Sequence, residues 1–258
     1  MNDDILAKAR KLLAKGEDPA ATPAEAETYT KKAMALIAEY GIDEALLAEK
    51  HADKRKVGEL EVECHAPFSQ EKAILINTIS VALGCRGVLR TKWRDGDYRR
   101  ASQSDRQVKT MHLFGRESDL RRVELLYTSL LLQQANALTS LQIPHFENSP
   151  AAYRRSWLQG YTAAIGSRLE AAEKAAAREA DERPERAAET ASGNSTALVL
   201  ARRDEEVEEA MRGVYPHLKQ SKSRQSSGNG FGSGYAEGRR ADLGGNHVGA
   251  GVKGAIGG

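Results

Sequence analysis

A chain of 258 residues with a formal net charge of +2, 40% hydrophobic and 29% charged residues can build one large domain or two small ones. Its apolar residues are too unevenly spread for every segment to join a core. Two cysteines outside any CxxC spacing argue against a disulfide framework and for a reducing, cytoplasmic setting. The first twenty residues lack an apolar h-region, and no run approaches the roughly 18 apolar residues that span a bilayer, so neither a signal peptide nor a membrane partner is expected.

Residues 1–52 are expected to form a helical hairpin domain. The first helix places Ile5, Leu6, Ala9, Leu12 and Leu13 on one face and stops at Gly16. Thr22 is the expected N-cap of the second, with Pro23 at the first helical position and Glu25 completing a capping box. Its apolar residues are Ala26, Tyr29, Ala33, Leu36, Ile37 and Tyr40, and Gly41 is expected to end it, with a short third helix from Asp43 to about His51.

The pattern Ile5-Leu6-x-Lys8-Ala9-Arg10-Lys11-Leu12-Leu13, then Glu25-Ala26-Glu27, then Lys32-Ala33-x-x-Leu36-Ile37-x-Glu39-Tyr40-Gly41-Ile42 resembles a widespread bacterial and phage family. That family has an N-terminal helical hairpin and is classified only as a domain of unknown function. The stretch that follows, to about residue 140, is similar to the module that commonly accompanies the hairpin. The resemblance implies an intracellular setting in phages, prophages and mobile elements. It supplies no activity and no catalytic residues.

Residues 57–142 are expected to form an α+β module. Val57 to Cys64 alternates apolar residues with Glu59, Glu61 and Glu63, as a half-buried strand does. Ser69 is the expected cap of a helix carrying Ile74, Leu75, Ile79, Val81, Ala82 and Leu83 and ending at Gly84. Cys85–Thr91 and Val108–Phe114 read as strands. A tight turn at Gly115 and a cap at Glu117 or Ser118 then open the best-patterned helix, with Leu120, Val123, Leu126, Tyr127, Leu130, Leu131 and Gln134 on one face. The fold class is therefore α+β: an N-terminal helical hairpin, a small, mostly antiparallel sheet packed on long helices, and a flexible Gly-rich C-terminal tail.

Residues 148–213 read as a long helix with a stripe at Tyr153, Trp157, Tyr161, Ala164, Ile165 and Leu169, continuing as a solvated rod to Pro184. A short strand at Thr196–Ala201 and a short acidic helix at Arg203–Met211 are expected after it. Residues 214–258 read as a flexible basic tail, a linker over 219–234 with one or two helical turns over 235–243.

Little here names a reaction. Cys64, His65, Cys85 and His112 are the one combination that convergence would turn into a zinc site, but strand positions favour buried hydrophobic cysteines, and no metal ligand is assigned. Phe114–Asp119 lacks GxGxxG or GK[ST], and Glu117 and Asp119 would repel a phosphate, so no cofactor is expected. The consecutive acids Glu205, Glu206, Glu208 and Glu209 read as a solvated helix face.

The basic features carry more information. Between residues 86 and 109, eight cations stand against three aspartates, a local charge of +5. The candidate contacts are Arg86, Arg90, Lys92, Trp93, Arg94, Tyr98, Arg99, Arg100, Arg106 and Lys109, with Asp95-Gly96 as a hairpin turn signal, and Arg239 and Arg240 in the tail. A basic ribbon with aromatics suits a groove or unpaired bases. The reading is a non-enzymatic protein of phage or mobile-element origin that contacts DNA or RNA phosphates. The alternative is a protein–protein adaptor acting through the N-terminal hairpin or the 150–183 helix. A metal-dependent enzyme is the remaining option.

Overall fold

The structure, a computed structural model, describes residues 2–16, 22–50, 56–93, 107–183, 195–218 and 227–241. These form seven helices and one sheet: α1 (Asn2–Gly16), α2 (Pro23–Lys50), β1 (Val57–Cys64), α3 (Ser69–Ala82), β2 (Arg86–Trp93), β3 (Gln107–Arg116), α4 (Glu117–Thr139), α5 (Pro150–Glu182), α6 (Thr196–Val214) and α7 (Phe231–Arg240). The class is α+β, as the alternation of β1 and the helical periodicities require. Among the described residues no helix is long and apolar enough to cross a membrane.

The sheet has the order β1-β3-β2, antiparallel throughout, with Leu60 opposite Leu113 and Leu89 opposite Met111. The two-residue pleat sends Leu60, Val62, Cys64, Met111 and Leu113 into the main core under α3 and α4. The opposite face carries Val57, Val88 and Phe114 against Val207, Met211 and Tyr215 of α6 and its C-terminal end. One cluster of buried side chains draws on α1, α2, the sheet, α3, α4, α5 and Ala241 after α7.

Several local expectations meet their geometry. Thr22 and Glu25 close a reciprocal box: the Thr22 amide donates to the Glu25 carboxylate at 2.9 Å and the Glu25 amide to the Thr22 hydroxyl at 3.4 Å. The Thr22 hydroxyl, which donates to the Glu25 carboxylate at 2.7 Å, and the Thr22 amide together hold that carboxyl below its usual range. Gly84, at φ +78°, ends α3 in a left-handed turn, with its amide on the Val81 carbonyl and that of Cys85 on Ser80.

Six expectations are corrected. Gly41 does not end α2, which runs on to Lys50 and buries Ile42, Ala45 and Leu46 against Ala176, Ala180 and Val199. Its glycine serves space, because a Cβ there would lie 1.9 Å from Nη1 of Arg122. Gly115 makes no turn: it sits in β3 where a Cβ would strike the Cys85 sulfur, and the strand passes directly into α4 with Arg116 as an N-cap that makes no side-chain hydrogen bond. Ser69 does not cap α3, since Phe68 holds that position in the left-handed region at φ 61°. The end of α5 is no solvated rod, because its alanines let α2 and α6 approach closely: Ala176 and Ala180 are buried. Thr196–Ala201 is helical, capped by Ser195 and burying Val199, Arg203 and Val207 at four-residue steps. Part of the expected linker is α7 and its lead-in, because its glycines pack closely against α5.

Buried charge ties these helices together. Arg122 of α4 has no exposed surface and donates to Asp119 at 2.9 Å and to Glu173 of α5. Arg203 of α6 lies 3.7 Å from the second Asp119 oxygen and 3.2 Å from Asp204. Burial pushes the Glu173 carboxyl above its ordinary value against the attraction of Arg122. Burial alone would depress the Arg203 guanidinium, but Asp119, Asp204 and Glu173 together raise it. Gly41 and Gly84 leave room for the two guanidinium groups.

Candidate functional site

The ribbon proposed from charge is a true β-ladder. β2 and β3 pair from Arg86↔Phe114 to Trp93↔Gln107, so both ends of the 94–106 connection leave one end of the sheet. Alternation puts Arg86, Arg90 and Lys92 on the face that α6 covers near its other end. There the acids of β1 and α6 meet the two arginines. Arg86 lies 3.6 Å from Asp204 and 4.0 Å from Glu208, and Arg90 donates to Glu61. Arg116, 2% exposed, donates to Glu206 at 2.9 Å.

His112 sits at the centre of this face. One ring nitrogen, Nδ1, is 2.8 Å from the Tyr215 hydroxyl, and the other, Nε2, is 2.9 Å from Glu59. Arg90 donates weakly to the same hydroxyl at 3.5 Å, and the Tyr215 and Glu61 contacts raise its basicity. The ring also packs 4.5 Å from Phe114, centroid to centroid. Both nitrogens of a buried imidazole are thus satisfied, which fixes the last residue of the α6 cap to the sheet.

The other sequence candidates divide clearly. Lys92 is exposed, and Lys109 donates to Gln70. Trp93 is the last paired residue of β2. Arg94, Tyr98, Arg99, Arg100 and Arg106, and the Asp95-Gly96 turn, lie outside the described residues. Arg239 and Arg240 are exposed in the last turn of α7.

Cys64, His65, Cys85 and His112 do not converge. Cys64 pairs with Lys109 and Cys85 precedes the residue that pairs with Phe114, five positions further along β3, or about 17 Å at strand rise. His65 is exposed beside Glu63 at 3.6 Å, and His112 faces α6 while Cys64 faces the main core. Among the described residues no group of three or more His, Cys, Asp or Glu side chains could hold a metal ion. Both thiols are buried, and burial pushes both upward in pKa. The folded protein should therefore leave both unmodified by a maleimide at neutral pH for hours, while denaturant exposes two; mass spectrometry reads the count, and rapid labelling of either in the native state would contradict the packing.

One element escaped the sequence reading. Along α5, Ser156, Gly160 and Ala164 recur at four-residue steps, and Gly230, Gly234 and Gly238 do the same in and before α7. The two stripes face each other with the helices running parallel. A Cβ on Gly160 would lie 2.0 Å from the Phe231 carbonyl, and one on Gly234 1.9 Å from that of Trp157. Such backbone approach is open only to very small residues. The Gly230 amide donates to Ser156 Oγ at 2.7 Å, and Arg168 donates to the carbonyls of Gly238 and Ala241 at 3.0 and 2.7 Å, closing both ends of α7. α7 thereby lies against the backbone of Trp157 and Tyr161, whose side chains are buried in the main core. With glycine inward, the large side chains Phe231 and Tyr235 stand outward.

Residues 4–44 match the family model described as a protein of unknown function (DUF2786). The match lies on α1 and most of α2, including Leu6, Ala9, Leu13, Ala33 and Ile37, which are all buried. No curated protein and no solved structure matches the chain.

Proposed function

We propose that this chain is a nucleic-acid-associated protein whose β2–β3 ribbon delivers the phosphate contacts. The contacts are Lys92, Arg94, Arg99, Arg100 and Arg106, with Trp93 and Tyr98 as stacking side chains. What supports the reading is the pairing of β2 with β3 as far as Trp93↔Gln107. It brings both ends of a connection holding four arginines and a tyrosine to one end of the sheet. A two-stranded ribbon fits a major groove, cations supply a sequence-independent phosphate term, and aromatic faces stack on unpaired bases. Arg86 and Arg90 leave the contact set, because carboxylates of the same fold already hold them; the ribbon's charge falls from +5 to +3 when they are set aside. The N-terminal family match, to a family of unknown function, is compatible with a phage or mobile-element setting and adds no chemistry.

The test uses nuclease-treated protein and fluorescent single-stranded and duplex DNA and RNA at two salt concentrations. The triple variant Arg94→Ala, Arg99→Ala, Arg100→Ala should bind more weakly, and its log–log salt slope should shrink by about 2.1–2.7, from 0.7–0.9 per lost phosphate contact. Unchanged binding removes the ribbon as the contact. Absence of binding by the unaltered protein at low salt favours the adaptor reading, with α1 and α2 as the surface to test against protein partners.

A further inference from the structure

We infer that the outward face of α7 is a stacking platform for unpaired nucleic-acid bases, a second contact that rests on the nucleic-acid reading above and specifies single strands. The helix is inside out. Gly234 and Gly238 face α5, whereas Phe231 and Tyr235 are 47% and 36% exposed. A helix held only by its apolar side chains would bury those rings; this one is held by backbone approach and leaves them in solvent.

The rings are ordered relative to each other. Phe231 and Tyr235, one turn apart, lie at 20° with centroids 6.3 Å apart. Arg239 continues the same four-residue spacing, and Arg239 and Arg240 are both exposed; Glu237, half-buried, is the acid of the helix. The stripe therefore reads ring, ring, cation, which complements base, base, phosphate. The loop carrying Phe146, 79% exposed, is tied to the start of α7 by Asn229, which donates to Glu147 at 3.0 Å. Because Ser156 and Arg168 pin both ends of α7, the platform is ordered before binding, and little entropy is lost on contact. Two flat rings and two cations suit a single strand, where each base stacks without regard to sequence. They are too few to seat a helix in a lipid surface, which needs a continuous apolar face.

The probe is a fluorescein-labelled 20-nucleotide deoxythymidine strand, with a duplex of equal length as reference, titrated into the full chain. Phe231→Ala with Tyr235→Ala should weaken single-strand binding at least tenfold while duplex binding changes less than twofold, and circular dichroism and Tm should stay those of the unaltered protein. Arg239→Gln with Arg240→Gln should lower the single-strand salt slope by about 1.4. Equal weakening of single-strand and duplex binding, or none, overturns the platform and leaves the ribbon standing. Failure of the unaltered protein to bind either probe overturns both. Loss of a dimer in the double-ring variant by sedimentation, or loss of binding to anionic vesicles without loss of strand binding, assigns the face to another occupant and overturns the inference.

Discussion

Replacing Arg122 with methionine should lower the free energy of unfolding by about 3–5 kcal/mol, the cost of breaking a buried ion pair from one side. That is a large part of the 5–15 kcal/mol typical of a folded domain. The side chain volume is nearly kept, so the loss is one of charge. Among the described residues Asp119, 2% exposed at its side chain, keeps the ion pair with Arg203 at 3.7 Å, and Glu173 loses the guanidinium it accepts from. The sign of the pH dependence follows from Glu173. Burial already raises its carboxyl above the ordinary value in the folded state. A raised carboxyl binds more protons folded than unfolded, so its contribution to stability falls as pH rises through that window. Without Arg122 the carboxyl rises further. The deficit of Arg122→Met should thus be larger at pH 8 than at pH 5, read by urea unfolding at both. A deficit that is constant, or that grows on acidification, would show that Asp119 and Glu173 do not depend on this cation. Arg122→Lys should recover only part of the loss, since an ammonium cannot serve both carboxylates in the guanidinium's fixed fork.

This cluster also marks where sequence reading stops. Within one element the physics is local, and it was legible: the period of α3, α4 and α5, the alternation of β1, the Thr22–Glu25 box and the left-handed stop at Gly84 all follow from neighbouring residues. Gly41 obeys a different need. Locally it reads as a helix stop, yet its purpose is to admit Arg122, which is 81 positions away in the sequence. Thr196–Ala201, a short apolar run, has no period long enough to separate strand from helix; its burial is decided by α2 and α5. The candidate site divides in the same way. Sequence charge located the β2–β3 ribbon, but Glu61, Asp204 and Glu208, which occupy Arg86 and Arg90, come from other elements. The four-residue glycine rhythm before and within α7 was visible, and composition alone assigned it to a linker, because glycine is a poor helix former until a partner helix supplies the packing.

That rhythm makes Gly234→Val the most disruptive single change expected outside the charged core. A Cβ at this position would lie 1.9 Å from the carbonyl oxygen of Trp157 and 2.6 Å from its carbon. The obstacle is backbone inside a 33-residue helix, which cannot rotate away as a side chain would. Separation of α7 from α5 is the available response. It gives up the Ser156 and Arg168 hydrogen bonds and opens the backbone at Trp157, whose side chain is 2% exposed and stacked on Tyr161 at 5.6 Å. We expect a loss of about 3 kcal/mol, the upper end of the range for overpacking. In a Trp93→Phe background the emission of Trp157 should shift to the red, and trypsin should cut at Arg239 and Arg240 faster than in the unaltered protein. Gly232→Ala is the matched control two residues away: its Cβ would meet nothing within 4 Å. In a helix that change should be neutral or stabilise by up to about 1 kcal/mol, through the entropy glycine adds to the unfolded chain. Equal behaviour of the two variants would mean that α7 is not held by its glycines, and the outward placing of Phe231 and Tyr235 would lose its cause. Opposite signs from two glycines in one helix would show that a segment with the composition of a linker is a packed element, with its function on the side away from the core.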